Sequence, residues 1–458
     1  MSGSVAYTGD QDLNRMIEAA LRRADPELMI AKALSIQAEE LTLRTESTEL
    51  SIHLGAFDRI LLLGLGKASA RMARAMEAKL GDRIAGGVVV TKHGHGEPLE
   101  RAELFEAGHP VPDEAGVRGA RRMEELLETV DERTLCFTVV SGGGSALLVS
   151  PYRDAERELT LQEIQETTRL LLSCGAAIQE INCIRKHLSN VKGGRFARML
   201  HPARSVNLIL SDVIGDDPAS IASGITAPDP TTYTEALEIA RWYGILDSLP
   251  KRVREVIELG AAGKIPETPG PGDPVFERVQ NVVIGSNSQA LMAAAATARE
   301  LGYETAPLTS RLAGEAREVG KLFPALARDI REKRMLLAPP ACVLAGGETT
   351  VTLREGHGKG GRNQELALTV LREMVRAPEA FSGVSFASVG TDGNDGPTDS
   401  AGAWITGTIV EKAKADPEGV EQALRNNDAY PYLQSLGAHI MTGPTNTNVC
   451  DLQLLLIR

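Results

Sequence analysis

Short apolar runs recur along the chain, and each passes into a glycine-bearing turn. Arg59–Leu63 leads into Gly64-Leu65-Gly66-Lys67-Ala68-Ser69, and Gly86–Thr91 leads into Lys92-His93-Gly94-His95-Gly96. Leu135–Val140, inside the stretch Thr134–Val149, leads into Ser141-Gly142-Gly143-Gly144-Ser145, and Ser205–Leu210 leads into Ser211-Asp212-Val213-Ile214-Gly215. A continuous apolar run is the pattern of a strand buried on both faces. Between these runs the spacing turns helical: Asp10–Leu34, with Leu13, Met16, Ile17, Ala20 and Leu21 on one face, then Ala70–Leu80, Asp113–Val130 and a stretch around Leu161–Leu172. Phe105–Pro112 reads as a loop, and Asp113 as the cap of the helix after it. Strands alternating with helices in this way predict a mostly parallel sheet with helices on both faces.

The rhythm is interrupted at Gly263–Pro274, GKIPETPGPGDP, where proline and glycine cluster. It restarts with a strand at Val279–Ile284, a helix at Ser288–Leu301, and strands at Ala341–Leu344, Ser385–Val389 and Asp451–Ile457. The expected division is therefore residues 1–262, a linker at 263–274, and a second α/β domain at 275–458. With 458 residues the chain exceeds one ordinary core, which agrees with two domains. Hydrophobic content of 43%, charged content of 24% and 45 glycines fit a soluble α/β enzyme. A net charge of -12 argues against nucleic acid or an anionic membrane as partner. No apolar run reaches membrane-spanning length, and the N-terminal MSGSVAYTGDQDLNR has no leader pattern. Cys136, Cys174, Cys183, Cys342 and Cys450 are scattered, as reduced thiols of a cytoplasmic protein would be.

An acidic chain that handles an anion has to gather its cations locally. Between Glu180 and Asp212 there is no acidic residue, while Arg185, Lys186, Lys192, Arg195, Arg198 and Arg204 all occur. Lys192-Gly193-Gly194-Arg195 sets flexible backbone between two cations, and His357-Gly358-Lys359-Gly360-Gly361-Arg362 repeats the arrangement. Arg198 and Arg204 read as a solvated face. No P-loop motif is present, and Gly64–Ser69 opens like a dinucleotide fingerprint but has Ser69 at the third glycine position. Lys67, beside the amides of a helix start, suits a phosphate or carboxylate. The loop Ser141–Ser145 can present amides to the same kind of oxygen. Asp212 stands at a strand end, and Asp392, Asp395 and Asp399 punctuate the glycine-rich segment that opens with Gly390–Gly396. Magnesium takes one or two protein carboxylates together with substrate phosphates, and Asp392 and Asp212 are the candidates.

Gly64–Ser69, Gly108–Pro112, Ser141–Leu148, Arg185–Phe196, the run from Ser211-Asp212 through Pro228-Asp229-Pro230-Thr231, Gly360–Glu365 and Gly390–Gly396 resemble the class II glycerate kinases. This is the MOFRL family, many of whose members carry the label hydroxypyruvate reductase. The resemblance implies an N-terminal Rossmann-like three-layer parallel sheet, a C-terminal MOFRL-like α/β domain, and an active site in the cleft between them. It also implies ATP- and Mg-dependent phosphorylation of D-glycerate, commonly at the 2-hydroxyl, giving 2-phosphoglycerate. Family active-site residues fall on Lys67, Arg362 and Asp392. Expected binding residues are Gly66, Ser141, Gly142, Gly143, Gly144, Ser145, Lys192, Arg195, Asn363 and Glu365, with Asp212 and Asp392 for the metal. The expected partners are small molecules alone, and a homodimer is allowed. Two other readings stay open: an NAD(P)H-dependent hydroxypyruvate reductase, which the broken fingerprint disfavours, and a non-catalytic phosphate- or sugar-binding regulator.

Overall fold

The computed structural model describes residues 7–458, so the first six residues of the stretch read for a leader lie outside the described residues. Among the described residues fifteen strands occur in order. β1 (Leu34–Gln37), β2 (Glu40–Arg44) and β3 (Glu49–His53) form a small antiparallel sheet. β4 (Arg59–Leu65), β5 (Ile84–Lys92), β6 (Glu103–Ala107), β7 (Thr134–Val140), β8 (Arg204–Leu210) and β9 (Val279–Gly285) form a second. β10 (Glu304–Leu312), β11 (Ala341–Gly347), β12 (Val384–Gly390), β13 (Gly402–Ile405), β14 (His439–Ile440) and β15 (Asp451–Ile457) form the third. No described helix is long and apolar enough to cross a membrane.

The chain divides into two compact units, residues 26–284 and residues 1–25 with 285–458. In the first, the sheet order is β6-β5-β4-β7-β8-β9, and the pairs from β6 through β8 are parallel. Residues 60–65 of β4 are all buried, so both sheet faces are covered, as the apolar runs predict. Leu61, Leu63, Val88 and Val90 pack with Met123 and Leu127 of the helix Glu114–Leu127. Asp113 caps that helix as expected, accepting from the amides of Ala115 and Gly116. A separate helical core surrounds Tyr233 and includes Leu171, Ile184, Val253 and Ile257. Phe105, read as loop, lies in the edge strand β6.

The second unit is a mixed sheet, order β10-β11-β15-β12-β13-β14. Only β10 and β11 run parallel; β15 lies antiparallel between β11 and β12. Phe323 and Phe386 meet at 4.9 Å between ring centroids in its core.

These boundaries differ from the division expected at residues 263–274. That segment is packed into the first unit: Glu267 accepts from the Tyr233 amide, Thr268 Oγ1 donates to Asp229, and the Pro269 carbonyl accepts from the Asp229 amide. Val279–Gly285 is the edge strand of the first unit's sheet. The helix expected over Asp10–Leu34 is two helices, Gln11–Arg23 and Pro26–Ala33, because Pro26 has no amide hydrogen to continue the first.

The first of these helices belongs to the second unit. Asp10 accepts from the amides of Asp12 and Leu13, and also from Ser385 Oγ at 2.7 Å and Arg458 Nη2 at 2.9 Å. One buried carboxylate thus caps the helix and joins both ends of the chain. Asp10→Ala is expected to destabilise the protein by about 2–4 kcal/mol, a lost cap plus a broken partly buried pair, as read from urea denaturation.

Candidate active site

In the parallel sheet the chain leaves β4 for β5 and β6 on one side, then returns to β7 and β8 on the other. The switch point therefore lies beyond the carboxyl ends of β4 and β7, where an open α/β sheet binds ligands. The two strand ends are tied together there. Ser141 N–H donates to the Leu65 carbonyl at 3.0 Å, Lys67 N–H to the Gly142 carbonyl at 2.9 Å, and Ala68 N–H to Ser141 Oγ at 3.0 Å. Gly66 has φ +118, and a Cβ on it would stand 2.3 Å from the Ser141 carbonyl oxygen, so only glycine permits the approach. Ser69, in the place of the third fingerprint glycine, is buried and donates through Oγ to the Gly66 carbonyl at 2.7 Å.

The triple-glycine loop runs between side chains. A Cβ on Gly142 would meet Asp212 Oδ2 at 2.0 Å, and one on Gly143 would meet His109 Nε2 at 3.0 Å and Lys67 Cε at 3.2 Å. Lys67, Asp212 and the loop Ser141–Ser145 therefore lie together. His109, not anticipated as a site residue, joins them; its signal was the motif Gly108–Pro112. Burial, then the charges of Lys67, Lys92 and His95, hold its imidazole down at about 4, so it is neutral at physiological pH. His95 is lowered too, by burial and then Lys92, and its Nδ1 is buried without a partner among the described residues.

The basic segment divides in two. Arg195 is consumed internally, donating to the carbonyls of Lys186 at 3.0 Å and Ser189 at 2.7 Å and to the Tyr233 hydroxyl at 3.1 Å. Lys186 pairs with buried Asp229 at 3.2 Å. Lys192 instead lines a pocket with Ser145 and Arg185.

In the second unit, the ends of β11 and β12 flank Asp451, the first residue of β15, with Gly347 and Gly390 as its register partners. Arg362 opens the helix Arg362–Arg376 and donates to Asp451 through Nε at 2.6 Å and Nη2 at 3.0 Å, while Nη1 meets Glu348 at 3.0 Å. Burial opposes the guanidinium charge, but the bonds to Asp451 outweigh it and raise the Arg362 pKa. Burial pushes Asp451 up to about 6 against the opposing bonds from Arg362. Asp395 is buried and accepts from the amides of Asn363 at 3.0 Å and Gln364 at 2.8 Å, capping the same helix. Asn363 also bonds Ser388, and Glu365 is held by Arg317 and Asn427, so both side chains face the protein's interior bonds. Asp392 is half-buried in the following loop and accepts from the Asn394 amide at 3.1 Å. Asp451, missed in the sequence, carried one signal: a carboxylate opening an otherwise apolar strand, DLQLLLI.

Among the described residues no group of three or more His, Cys, Asp or Glu side chains is arranged to hold a metal. Asp212 lies against Gly142 at the end of one sheet, and Asp392 follows β12 in the other.

The MOFRL family profile matches residues 341–451, and a domain of unknown function, DUF4147, matches residues 12–258. The chain is 38% identical to the glycerate 2-kinase of Pyrococcus horikoshii over 97% of its own length and 96% of that protein's. The chain belongs to the class II glycerate kinases. A D-glycerate 2-kinase of Thermotoga maritima is 43% identical over 87% of this chain and 91% of its own. A crystal structure of a glycerate kinase from the same organism superposes with a TM-score of 0.82 at 38% identity, covering 97% of this chain and 98% of that one. Lys67 and Arg362 have opposite surroundings. Lys67 makes no ion pair among the described residues, and Arg362 is saturated by two carboxylates.

These charges generate two expected outcomes. Arg362→Met leaves Asp451, 1% exposed, without its cation. A loss of about 3–5 kcal/mol is expected, shrinking as pH falls and Asp451 takes up its proton, and partly recovered by Asp451→Asn in the same background; denaturation at pH 5 and pH 8 checks this. For His109, the folded pKa lies below the ordinary 6.5. The unfolded chain therefore binds this proton first, and the group lowers stability as pH falls from 6.5 toward about 4. Its imidazole resonance is expected to stay flat from neutral pH into that window, and Lys67→Met to move its midpoint up.

Proposed function

We propose that this protein is an ATP- and magnesium-dependent D-glycerate kinase that phosphorylates the 2-hydroxyl and releases 2-phosphoglycerate. The observation that carries the reading is Lys67, an unpaired cation beside a glycine loop at the switch point of a parallel sheet. The names of the relatives point the same way. Transfer of a phosphoryl group asks for positioning and charge stabilisation more than for covalent help. Lys67 Nζ and the amides of Gly142–Ser145 supply both for phosphoryl oxygens. Asp212, against Gly142, orients the acceptor hydroxyl or holds the cation, and Asp392 is the metal-ligand candidate of the second unit. Arg362 adds positive charge there, its fork fixed in place by Asp451. Magnesium, when bound with the nucleotide, neutralises phosphate charge. Neutral His109 stands beside the loop and adds no charge to the site. Five free cysteines agree with a reducing, cytoplasmic setting.

A paired assay tests the reading. ATP is expected to be consumed only with D-glycerate and magnesium present, with 2-phosphoglycerate identified by phosphorus NMR, and NADH or NADPH is expected to remain unoxidised with hydroxypyruvate. Nicotinamide turnover without ATP consumption overturns it. Lys67→Met is expected to lower kcat/KM by roughly 10²–10³-fold, the scale for removing one preorganised donor from a charged transition state.

A further inference from the structure

The pocket beside the glycine loop contains two cations that the protein does not neutralise. Arg185 and Lys192 line it with Ser145 and Thr168, over an apolar wall that includes Val149 and Ile164. Lys192 is 5% exposed, and its Nζ donates to the Leu148 carbonyl at 3.2 Å. Arg185 reaches the Ser145 carbonyl at 3.5 Å. Their neighbours Lys186 and Arg198 pair with Asp229 and Asp273, but Arg185 and Lys192 pair with no carboxylate among the described residues. Burial lowers the Arg185 pKa, and burial with the Arg185 charge brings Lys192 down to about 7. A buried Lys192 beside a half-buried Arg185 of like charge, with no counter-ion, is costly. In a chain of net charge -12 the folding alternatives for neutralising them are plentiful, yet none is used.

The missing counter-charge is external. We propose that Arg185 and Lys192 form the subsite for the carboxylate of the hydroxy-acid substrate, an assignment that rests on the glycerate kinase reading. The cavity itself is small, ≈ 30 Å³, room for a carboxylate-sized group and not for a polyphosphate. Its mostly apolar wall suits the carbon skeleton of a short acid better than a polyphosphate. Ser145 belongs both to this pocket and to the glycine loop, so an acid anchored here keeps its hydroxyl on the side of Lys67. The Arg185 fork can take both carboxylate oxygens, and Lys192 adds a point charge that an arriving anion keeps protonated. The labour is then divided: the loop and Lys67 handle phosphoryl oxygens, and this pair selects an acid over a neutral polyol.

Calorimetry on the full chain, with D-glycerate, glycerol, inorganic phosphate and MgADP each added alone, tests the assignment. D-glycerate is expected to bind the wild type and glycerol not to bind. Arg185→Gln and Lys192→Met are expected to weaken D-glycerate by roughly 10–100-fold, the worth of one charge-assisted bond, with MgADP affinity unchanged and the effect on turnover carried by KM. Lys192→Arg is expected to restore much of the affinity. Each neutral variant removes an uncompensated buried charge, so its ligand-free melting temperature should equal or exceed that of the wild type. Parallel loss of MgADP affinity, or phosphate binding as tight as D-glycerate and lost in the same variants, overturns the proposal in favour of a nucleotide-phosphate site. A lowered melting temperature with unchanged D-glycerate affinity overturns it in favour of a structural pair. If the wild type neither binds nor turns over D-glycerate but binds another short hydroxy acid through these residues, the glycerate reading fails and the carboxylate subsite stands.

Discussion

The constraint on which the rest depends is the close approach of the backbone at Gly66 to Ser141. Two adjacent parallel strands end there and exchange backbone bonds past their last residues, through Leu65, Lys67 and Gly142. The approach leaves no space for a side chain at Gly66, and the Ser141 hydroxyl accepts from the amide of Ala68, the residue that precedes the helix. The result is that the Lys67 Cα, the start of the helix Ser69–Leu80 and the triple-glycine loop move as one body. The cation proposed to meet the transferring group is thereby placed by backbone, not by side-chain packing.

That rigidity explains why the charges around it can remain unsatisfied. A mobile loop would let Lys67 fold onto a surface carboxylate, and the chain has many. Held where it is, the lysine adds its charge to the burial that already lowers the His109 imidazole. The same logic separates the cations of the basic segment. Arg195 is spent on two carbonyls and a tyrosine hydroxyl, which fasten the helical core around Tyr233 to the loop at Ser189. Lys192, three residues earlier, is buried with one carbonyl for company.

The parallel sheet, the glycine junctions and the cap at Asp113 were legible because each is written locally: apolar run, small residues, cap. The division of the chain was not. Residues 263–274 look like a linker by composition, yet proline and glycine there serve a packed turn whose bonds go to Asp229 and Tyr233, residues a sequence window cannot pair with them. The helix Gln11–Arg23 joins the far end of the chain through Asp10, Ser385 and Arg458, contacts of maximal separation that leave no periodic trace. The sheet β1-β2-β3 was missed because its alternation is short and its faces mostly exposed. In the site, residue type and spacing located the cations but not their partners. Arg195 and Lys192 read alike in sequence, and Arg185 read as one more charge.

Partner count is therefore the property that divides the proposed binding residues from the structural ones here, and it can be argued without reference to any motif. A buried cation with its carboxylate, such as Lys186 with Asp229, is neutral to the solvent and to any ligand; its removal costs stability. A buried cation without one raises the free energy of the empty protein and lowers it when an anion arrives, so its cost and its use are the same quantity seen in two states. Arg362 stands between these cases. Asp451 and Glu348 offset its charge, so it offers an anion less net attraction than Lys67. What the pairing supplies is orientation: Nε and Nη2 are fixed on Asp451, itself fixed at the start of β15, and Nη1 meets Glu348, so the guanidinium is held in one place. The two units thus place positive charge by different means, one by leaving it unpaired on rigid backbone and the other by pairing it to a rigid strand.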